Sequence, residues 1–292
     1  MTKENHIPVL LNELIHYLNS KPNQNFIDAT AGFGGHLKEI LKKTAPKGKV
    51  LAIDYDLQAV NHLQSAISNE RLAIRHGNFK NIEQIVRETR FKNINGIYFD
   101  LGFGSWQIED EKYGFSFEKD MPIDMRLNSN VKTQMSNLTA REIVNRWHKE
   151  KLTEIFRKYG EIRKPHQIAE KIVQSRTKKP IETTLQLVET TGVHNKKVLA
   201  KIFQSLRITV NDEIENLKKA LPKGWEILNP KGKMAVIAFH SIEDRIVKNF
   251  FRDLKIEGRA KLLTPKPITP SIEEILRNPR SRSAKLRVAE KV

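Results

Sequence analysis

The feature that most constrains this chain is a rhythm of short apolar runs. NFIDAT (25–30), KVLAIDYD (49–56), LAIRHG (72–77) and INGIYFDLG (94–102) follow one another with helix-suited stretches between them. They are rich in Ile, Val, Leu and Phe and show little of the polar alternation of a half-solvated strand. Such runs, separated by roughly 20 residues, are what βαβ units around a parallel sheet buried on both faces produce. The N-terminal third therefore reads as α/β. After a long interruption the pattern resumes with a strand at KMAVIAFHS (233–241) and a helix at EDRIVKNFFRDL (243–254). Segments near 260–265 and 284–290 are expected to pair as a terminal antiparallel hairpin.

The interruption reads as helical. From about 106 to 198 strand-like runs vanish, and a polar loop at 128–137 gives way to AREIVNRWHKEKLTEIFRKYG (140–160) and PHQIAEKIVQSR (165–176). Beyond it Leu199, Ile202, Phe203, Leu206, Val210, Ile214, Leu217 and Leu221 recur at helical spacing and predict one long amphipathic helix. The expected organisation is a core made of 1–105 and 199–292 with a helical insert at 106–198. The Pro- and Arg-rich stretch 264–283 reads as a mobile loop, and no internal repeat is visible.

Composition narrows the chemistry. The 292 residues contain 51 Lys+Arg against 34 Asp+Glu, a formal charge of +17, and no cysteine. The missing thiols exclude disulfides, thiolate zinc sites, iron–sulfur clusters and every Cys nucleophile. No metal-ligand spacing surrounds the 9 histidines, and no required metal is expected. The positive excess points to a polyanionic partner. Residues 141–179 hold 12 basic and 5 acidic groups, and the final 38 hold 10 and 4, so both are candidate RNA-facing surfaces; an ordinary solvated helix face is the alternative for the first. No stretch approaches the roughly 18 apolar residues of a membrane helix, the N-terminus lacks a signal-peptide pattern, and the expected location is cytoplasmic.

The most specific motif is Asp28-Ala29-Thr30-Ala31-Gly32-Phe33-Gly34-Gly35-His36, which leads from the first strand into a helix. Its glycines allow a tight turn and close approach to a ligand, and the helix start offers open N–H groups. The spacing differs from the dinucleotide pattern G-x-G-x-x-G, and an acid at Asp28 suits a cationic amino group better than a pyrophosphate, which favours S-adenosylmethionine over NAD. Asp54, at the end of the second strand, can accept from two ribose hydroxyls, and Asp56 reads as a helix cap. Phe79, after the third strand, either packs on an adenine or belongs to an ordinary loop. Asp100 ends the fourth strand, where open α/β sheets hold their ligands. Gln204, Arg207 and Asn211 form a polar stripe on the long helix, and His240 either binds substrate or simply finishes its strand.

HIPVLLNE (6–13), DATAGFGGH (28–36), DLGFGSWQIED (100–110), YGFSFEKDMPIDMRL (113–127), YGE (159–161), FQSLRITVNDE (203–213), FHSIEDRIVK (239–248) and NPRSRSAKLRVAEK (278–291) together carry a resemblance. Over nearly its whole length the chain resembles the bacterial 16S ribosomal RNA N4-cytosine methyltransferase family, known as RsmH or MraW. The resemblance implies a class I, Rossmann-like methyltransferase sheet with a helical insert, and the charge of that insert makes it the candidate RNA-recognition domain. It implies S-adenosylmethionine as methyl donor and a cytidine in the decoding region of small-subunit ribosomal RNA, free or in the 30S particle, as target. By motif, donor contacts would fall on Gly34, Gly35, His36, Asp54, Phe79, Asp100 and Gln107; given the resemblance, the stripe of Gln204, Arg207 and Asn211 is expected to help build an RNA pocket, with Trp106 and His240 as further candidates for substrate contact. The chain departs from the family at Gly104-Ser105-Trp106, where Ser-Ser-Pro is usual, at Tyr113, where Arg is usual, and at Ala200-Lys201, where Thr-Arg is usual.

The lack of cysteine agrees with this target, because methylation at cytosine C5 needs a thiolate whereas N4 needs only alignment and acceptors for its protons. Asp100 is the candidate for holding the amine, or else it binds the amino group of the donor. Trp106 either stacks on the target base or packs under the insert. A related methyltransferase with a shifted RNA target and a noncatalytic RNA-binding assembly factor remain as alternatives, and a homodimer is compatible with the sequence.

Overall fold

The computed structural model describes residues 7–292 apart from 103, 105, 106, 109, 111 and 128–137. The chain divides into two compact units, 1–102 with 214–292, and 103–213. The first unit begins with α1 (Leu11–Leu18), β1 (Asn25–Asp28), α2 (Gly35–Lys43), β2 (Val50–Asp54), α3 (Leu57–Ala66), β3 (Leu72–His76), a 3-10 turn (Phe79–Asn81), α4 (Ile82–Glu88) and β4 (Ile94–Asp100). All four expected strands form. Phe26, Ile27, Val50 to Ile53 and Ile97 to Phe99 are almost wholly buried, which explains why these runs carry no polar alternation.

The second unit contains α5 (Ala140–Arg146), α6 (Lys149–Lys158), α7 (Pro165–Arg176), α8 (Thr184–Thr191) and α9 (Lys196–Asn211). Its own core gathers Phe115, Ile143, Leu152, Phe156, Ile168, Ile172, Leu187, Ile202, Phe203 and Leu206. Thr139 with Glu142 and Thr183 with Gln186 form reciprocal capping boxes that fix where α5 and α8 start. The expected 140–160 helix is two helices, because Trp147 and His148 are extended.

The chain then returns to the first unit through α10 (Glu213–Ile227), β5 (Leu228–Ala238), α11 (Ser241–Ile256), β6 (Ala260–Leu262), α12 (Ile272–Arg277) and β7 (Lys285–Lys291). The single long helix expected over 199–221 is broken at Asp212, whose backbone is left-handed (φ 53). Asp tolerates that conformation better than most residues. The boundary between the units accordingly falls at 213/214, later than the 198/199 read from the sequence. The stretch 264–283, expected to be a mobile loop, contains α12, capped by Ser271, and a 3-10 turn at Pro279–Ser283.

The seven strands form one sheet in the order β3-β2-β1-β4-β5-β7-β6, with β7 antiparallel to both its neighbours. The expected α/β class and a Rossmann-like, mostly parallel sheet are therefore present. Gly96 allows β4 to lie against β1, since a Cβ there would stand 2.3 Å from the Phe26 ring. Two apolar layers cover the sheet, one around Trp225 and Phe251, the other around Leu14, Leu37 and Ile40. Among the described residues no helix is long and apolar enough to cross a membrane.

Candidate functional site

Strand order reverses at β1 and β4, which are neighbours although the chain runs outward from them in opposite directions. Such a switch point opens a crevice at the carboxyl ends of the strands. The loop after β1 lies there, tied down by Ala29 N–H to the Tyr98 carbonyl (3.0 Å) and Ala31 N–H to the Ile53 carbonyl (2.9 Å). Gly32 and Gly34 both have positive φ, 51° and 81°. Gly34 is the N-cap of α2 and offers no side-chain cap, so the first N–H groups of that helix have no capping side chain. Gly35 cannot carry a side chain here, because a Cβ would lie 2.4 Å from Pro8 Cγ.

Asp54 closes the loop from the β2 side. Its two oxygens accept the N–H groups of Gly32 (2.7 Å) and Asp56 (2.7 Å). A carboxylate has about four lone-pair positions, so about two remain for a ligand. Burial pushes its pKa up to about 6, against the hydrogen bonds from Asp56 and Gly32. Asp56 caps α3 by accepting from Gln58 N–H, as its position suggested.

Asp28 does not serve as the acid facing a ligand. It is 2% exposed, it accepts the Tyr98 hydroxyl (2.8 Å) and Thr30 N–H (3.1 Å), and burial raises its pKa to about 8. Burial therefore favours the neutral form of the carboxyl, which supports the loop through these two hydrogen bonds. The acid nearer the crevice is Asp100, whose N–H donates to Thr30 Oγ1 (2.6 Å) and whose Oδ2 lies 3.7 Å from His36 Nδ1. His36 is buried, and its Nε2 lies 2.9 Å from the Val9 carbonyl. A carbonyl only accepts, so Nε2 holds the proton. Burial lowers the His36 pKa to about 4, and the neutral ring turns the bare Nδ1 toward the Asp100 carboxylate. Two acceptors thus converge beside the glycine turn, an arrangement suited to a cationic donor group.

Phe79 sits just past β3, half-buried and edge-on to Phe99 (5.8 Å, 89°). His240 is the N-cap of α11 in a capping box with Glu243, so it finishes its strand by starting a helix. The remaining candidates belong to the other unit. Gln107 is buried, with its Oε1 accepting Gly104 N–H (2.8 Å). Arg207 forms a two-pronged pair with Glu213, both contacts at 3.0 Å. Asn211 donates to the carbonyls of Met125 and Arg207 and accepts Leu127 N–H. Gln204 donates to the Tyr159 carbonyl (2.9 Å). The polar stripe is thus a set of internal struts. Trp106 lies outside the described residues.

The sequence reading missed Val9, Thr30 and Tyr98. Thr30 lay inside the glycine motif but was given no role of its own, and HIPVLLNE was the available signal for Val9, whose carbonyl fixes the His36 tautomer.

The family model described as the MraW methylase family matches residues 3–292. Ribosomal RNA small subunit methyltransferase H of Thermomicrobium roseum is 42% identical, the match covering 98% of this chain and 94% of that protein. The protein of the same name from Clostridium botulinum (strain Loch Maree) is 41% identical, with 98% and 99% covered. Ribosomal RNA small subunit methyltransferase H 1 of Acholeplasma laidlawii is 42% identical, again with 98% and 99% covered. Among solved structures, an rRNA methylase from Streptococcus thermophilus aligns with a TM-score of 0.44 at 12% identity, covering 98% of this chain and 99% of its own.

Proposed function

The chain belongs to the MraW methylase family; it is an S-adenosylmethionine-dependent ribosomal RNA methyltransferase, and we propose that its target is the N4 exocyclic amine of a cytidine in the decoding region of small-subunit RNA. The observation that carries the reading is the convergence, at the switch point of the sheet, of the Gly34–Gly35 turn, Asp54 and the facing acceptors of His36 and Asp100. These residues fit the donor. Asp54 keeps lone pairs for ribose hydroxyls, the His36 and Asp100 acceptors suit an ammonium group, and Phe79 offers an apolar ring at the end of β3.

When bound, S-adenosylmethionine supplies an electrophilic methyl group on a sulfonium. The residues of the chain hold, orient and desolvate around it. The N4 lone pair is conjugated into the cytosine ring, so acceptors must draw its protons aside to localise it. Asp100 and the carbonyls of Leu101 and Gly102 are the groups assigned to that role, with Asp100 also serving the amino group of the donor. The absence of cysteine supports N4 over C5, whose methylation requires a thiolate. A target amine on the Watson–Crick edge must be unpaired or flipped out to be reached.

RNA is assigned to the helical unit and the basic C-terminal segment. Arg163, Lys164, Lys178 and Lys179 support this, because no carboxylate among the described residues pairs with them, whereas Arg141 pairs with Glu182 and Lys149 with Glu170. The test is transfer of a tritiated methyl group to small-subunit RNA or 30S particles, followed by digestion to nucleosides. Label in N4-methylcytidine is the expected result. Label in another nucleoside would shift the target, and no transfer to either substrate would remove the catalytic reading.

A further inference from the structure

The first turn of the chain and the segment before β7 are fastened to each other behind the donor loop. Leu10 is fully buried and left-handed (φ 51), a conformation that side-chain-bearing residues adopt at a cost and that must be held from outside. Its N–H donates to Glu274 Oε1 at 2.8 Å, across 264 positions of sequence. Just past the end of α12, Asn278 Nδ2 donates to the Ile7 carbonyl (3.1 Å). A cavity of about 270 Å³ lined by Ile7, Pro8, Leu11, Glu274 and Asn278 lies between the turn and α12. Polar contacts, more than close packing, therefore join the two there.

On its other side the same turn touches the donor loop twice. Pro8 covers Gly35 so closely that no Cβ would fit, and the Val9 carbonyl accepts from His36 Nε2. The order of contacts is Glu274, Leu10, Val9, His36, Asp100, all within one compact unit. We propose that Glu274 is a positioning residue for the donor site: by holding Leu10 in its turn it aims the Val9 carbonyl, which keeps His36 in the tautomer that presents Nδ1 beside Asp100. This rests on the reading of Gly34 to His36 and Asp100 as the donor site.

The test uses the full chain, with S-adenosylmethionine titrated by calorimetry and the His36 ring followed in 15N spectra. Glu274→Ala should weaken donor binding about tenfold or more, the scale of losing one charge-assisted hydrogen bond. Glu274→Gln keeps an oxygen that accepts from Leu10 and should stay within about threefold of the parent, as for a neutral partner. His36 should remain the Nε2–H tautomer in the parent and in Glu274→Gln, and become a mixture of tautomers in Glu274→Ala. Asn278→Ala, the gentler change should Glu274→Ala not fold, should show the same drift with a loss of about threefold. Unchanged affinity and an unchanged His36 tautomer in Glu274→Ala, or in Asn278→Ala if that is the variant that folds, overturn the proposal. Equal losses in Glu274→Ala and Glu274→Gln overturn it too, since the hydrogen bond would then not be the cause. Should the parent bind no donor at all, the donor-site reading falls by itself, and the His36 spectra still decide whether Glu274 sets the ring.

Discussion

Asp54 accepts the Gly32 and Asp56 N–H groups, and in the function proposed above it also accepts from the donor's ribose. Asp54→Ala removes the proposed ribose acceptor and also orphans the N–H groups of Gly32 and Asp56, so donor affinity should fall by about tenfold to a hundredfold, with the fold retained, as titration calorimetry would show. Because burial raises the Asp54 pKa to about 6, its charge is lost as pH falls through that value, and donor binding should weaken below it. Asp28 behaves differently. Its carboxyl, raised from 3.8 to about 8, contributes stability that is fully present below pH 3.8 and is lost as pH rises through 8. Asp28→Asn stays neutral and escapes that loss, so its melting temperature should rise relative to the parent between pH 4 and pH 9. A constant difference across that range would show that Asp28 is ionised in the fold. The places of Asp54 at the end of β2 and of Gly34 at the start of α2 were legible because a strand-end acid and a turn glycine are positional signals. The role of Asp28 was not, since the hydroxyl that claims it, Tyr98, is 70 residues away.

Elements were read well where burial imposes a pattern and poorly where a single residue decides. The apolar periodicity over 199–221 continues in phase through Asp212, so nothing in it shows the break between α9 and α10. The short α12 was hidden for the opposite reason, since its Ile272 and Leu276 are 78% and 77% exposed and it buries no stripe. The spacing of Ser271 to Glu274 was the available cue, because the Ser hydroxyl accepts the Glu274 N–H. Asn211, expected at an RNA pocket, instead ties α9 to the 125–127 segment through the Met125 carbonyl and the Leu127 N–H. Asn211→Ala should therefore cost about 1–3 kcal/mol in denaturant unfolding. RNA affinity measured on the folded fraction should stay close to that of the parent, and a selective loss of RNA binding without a change in stability would restore the pocket role.

At the scale of the molecule, the sequence rhythm revealed a parallel sheet but not its order: nothing local indicates that β7 enters between β5 and β6. The charge of +17 was plain, yet which cations are spoken for depends on partners that only the fold brings near. Arg163, Lys164, Lys178 and Lys179 lack such partners among the described residues, so reversing all four to Glu should weaken RNA binding while donor affinity stays unchanged. For every phosphate no longer neutralised, the dependence of log K on log salt should flatten by about 0.7–0.9, and a slope equal to that of the parent would leave the helical unit a purely structural element. The bond between Leu10 and Glu274 has a further consequence in time. Ribosomes make proteins from the N-terminus and domains begin to fold as they emerge, so the glycine turn and Asp54 appear long before the segment proposed to steady them. A nascent chain stopped short of residue 274 would hold every residue expected to touch the donor, yet it would lack Glu274 and also β7, which pairs between β5 and β6, so its donor site would stand on an unfinished sheet. On that arrangement, full grip comes only once the C-terminal segment carrying Glu274 and β7 has joined the sheet, and prematurely terminated products would compete poorly with finished chains for the cell's methyl donor.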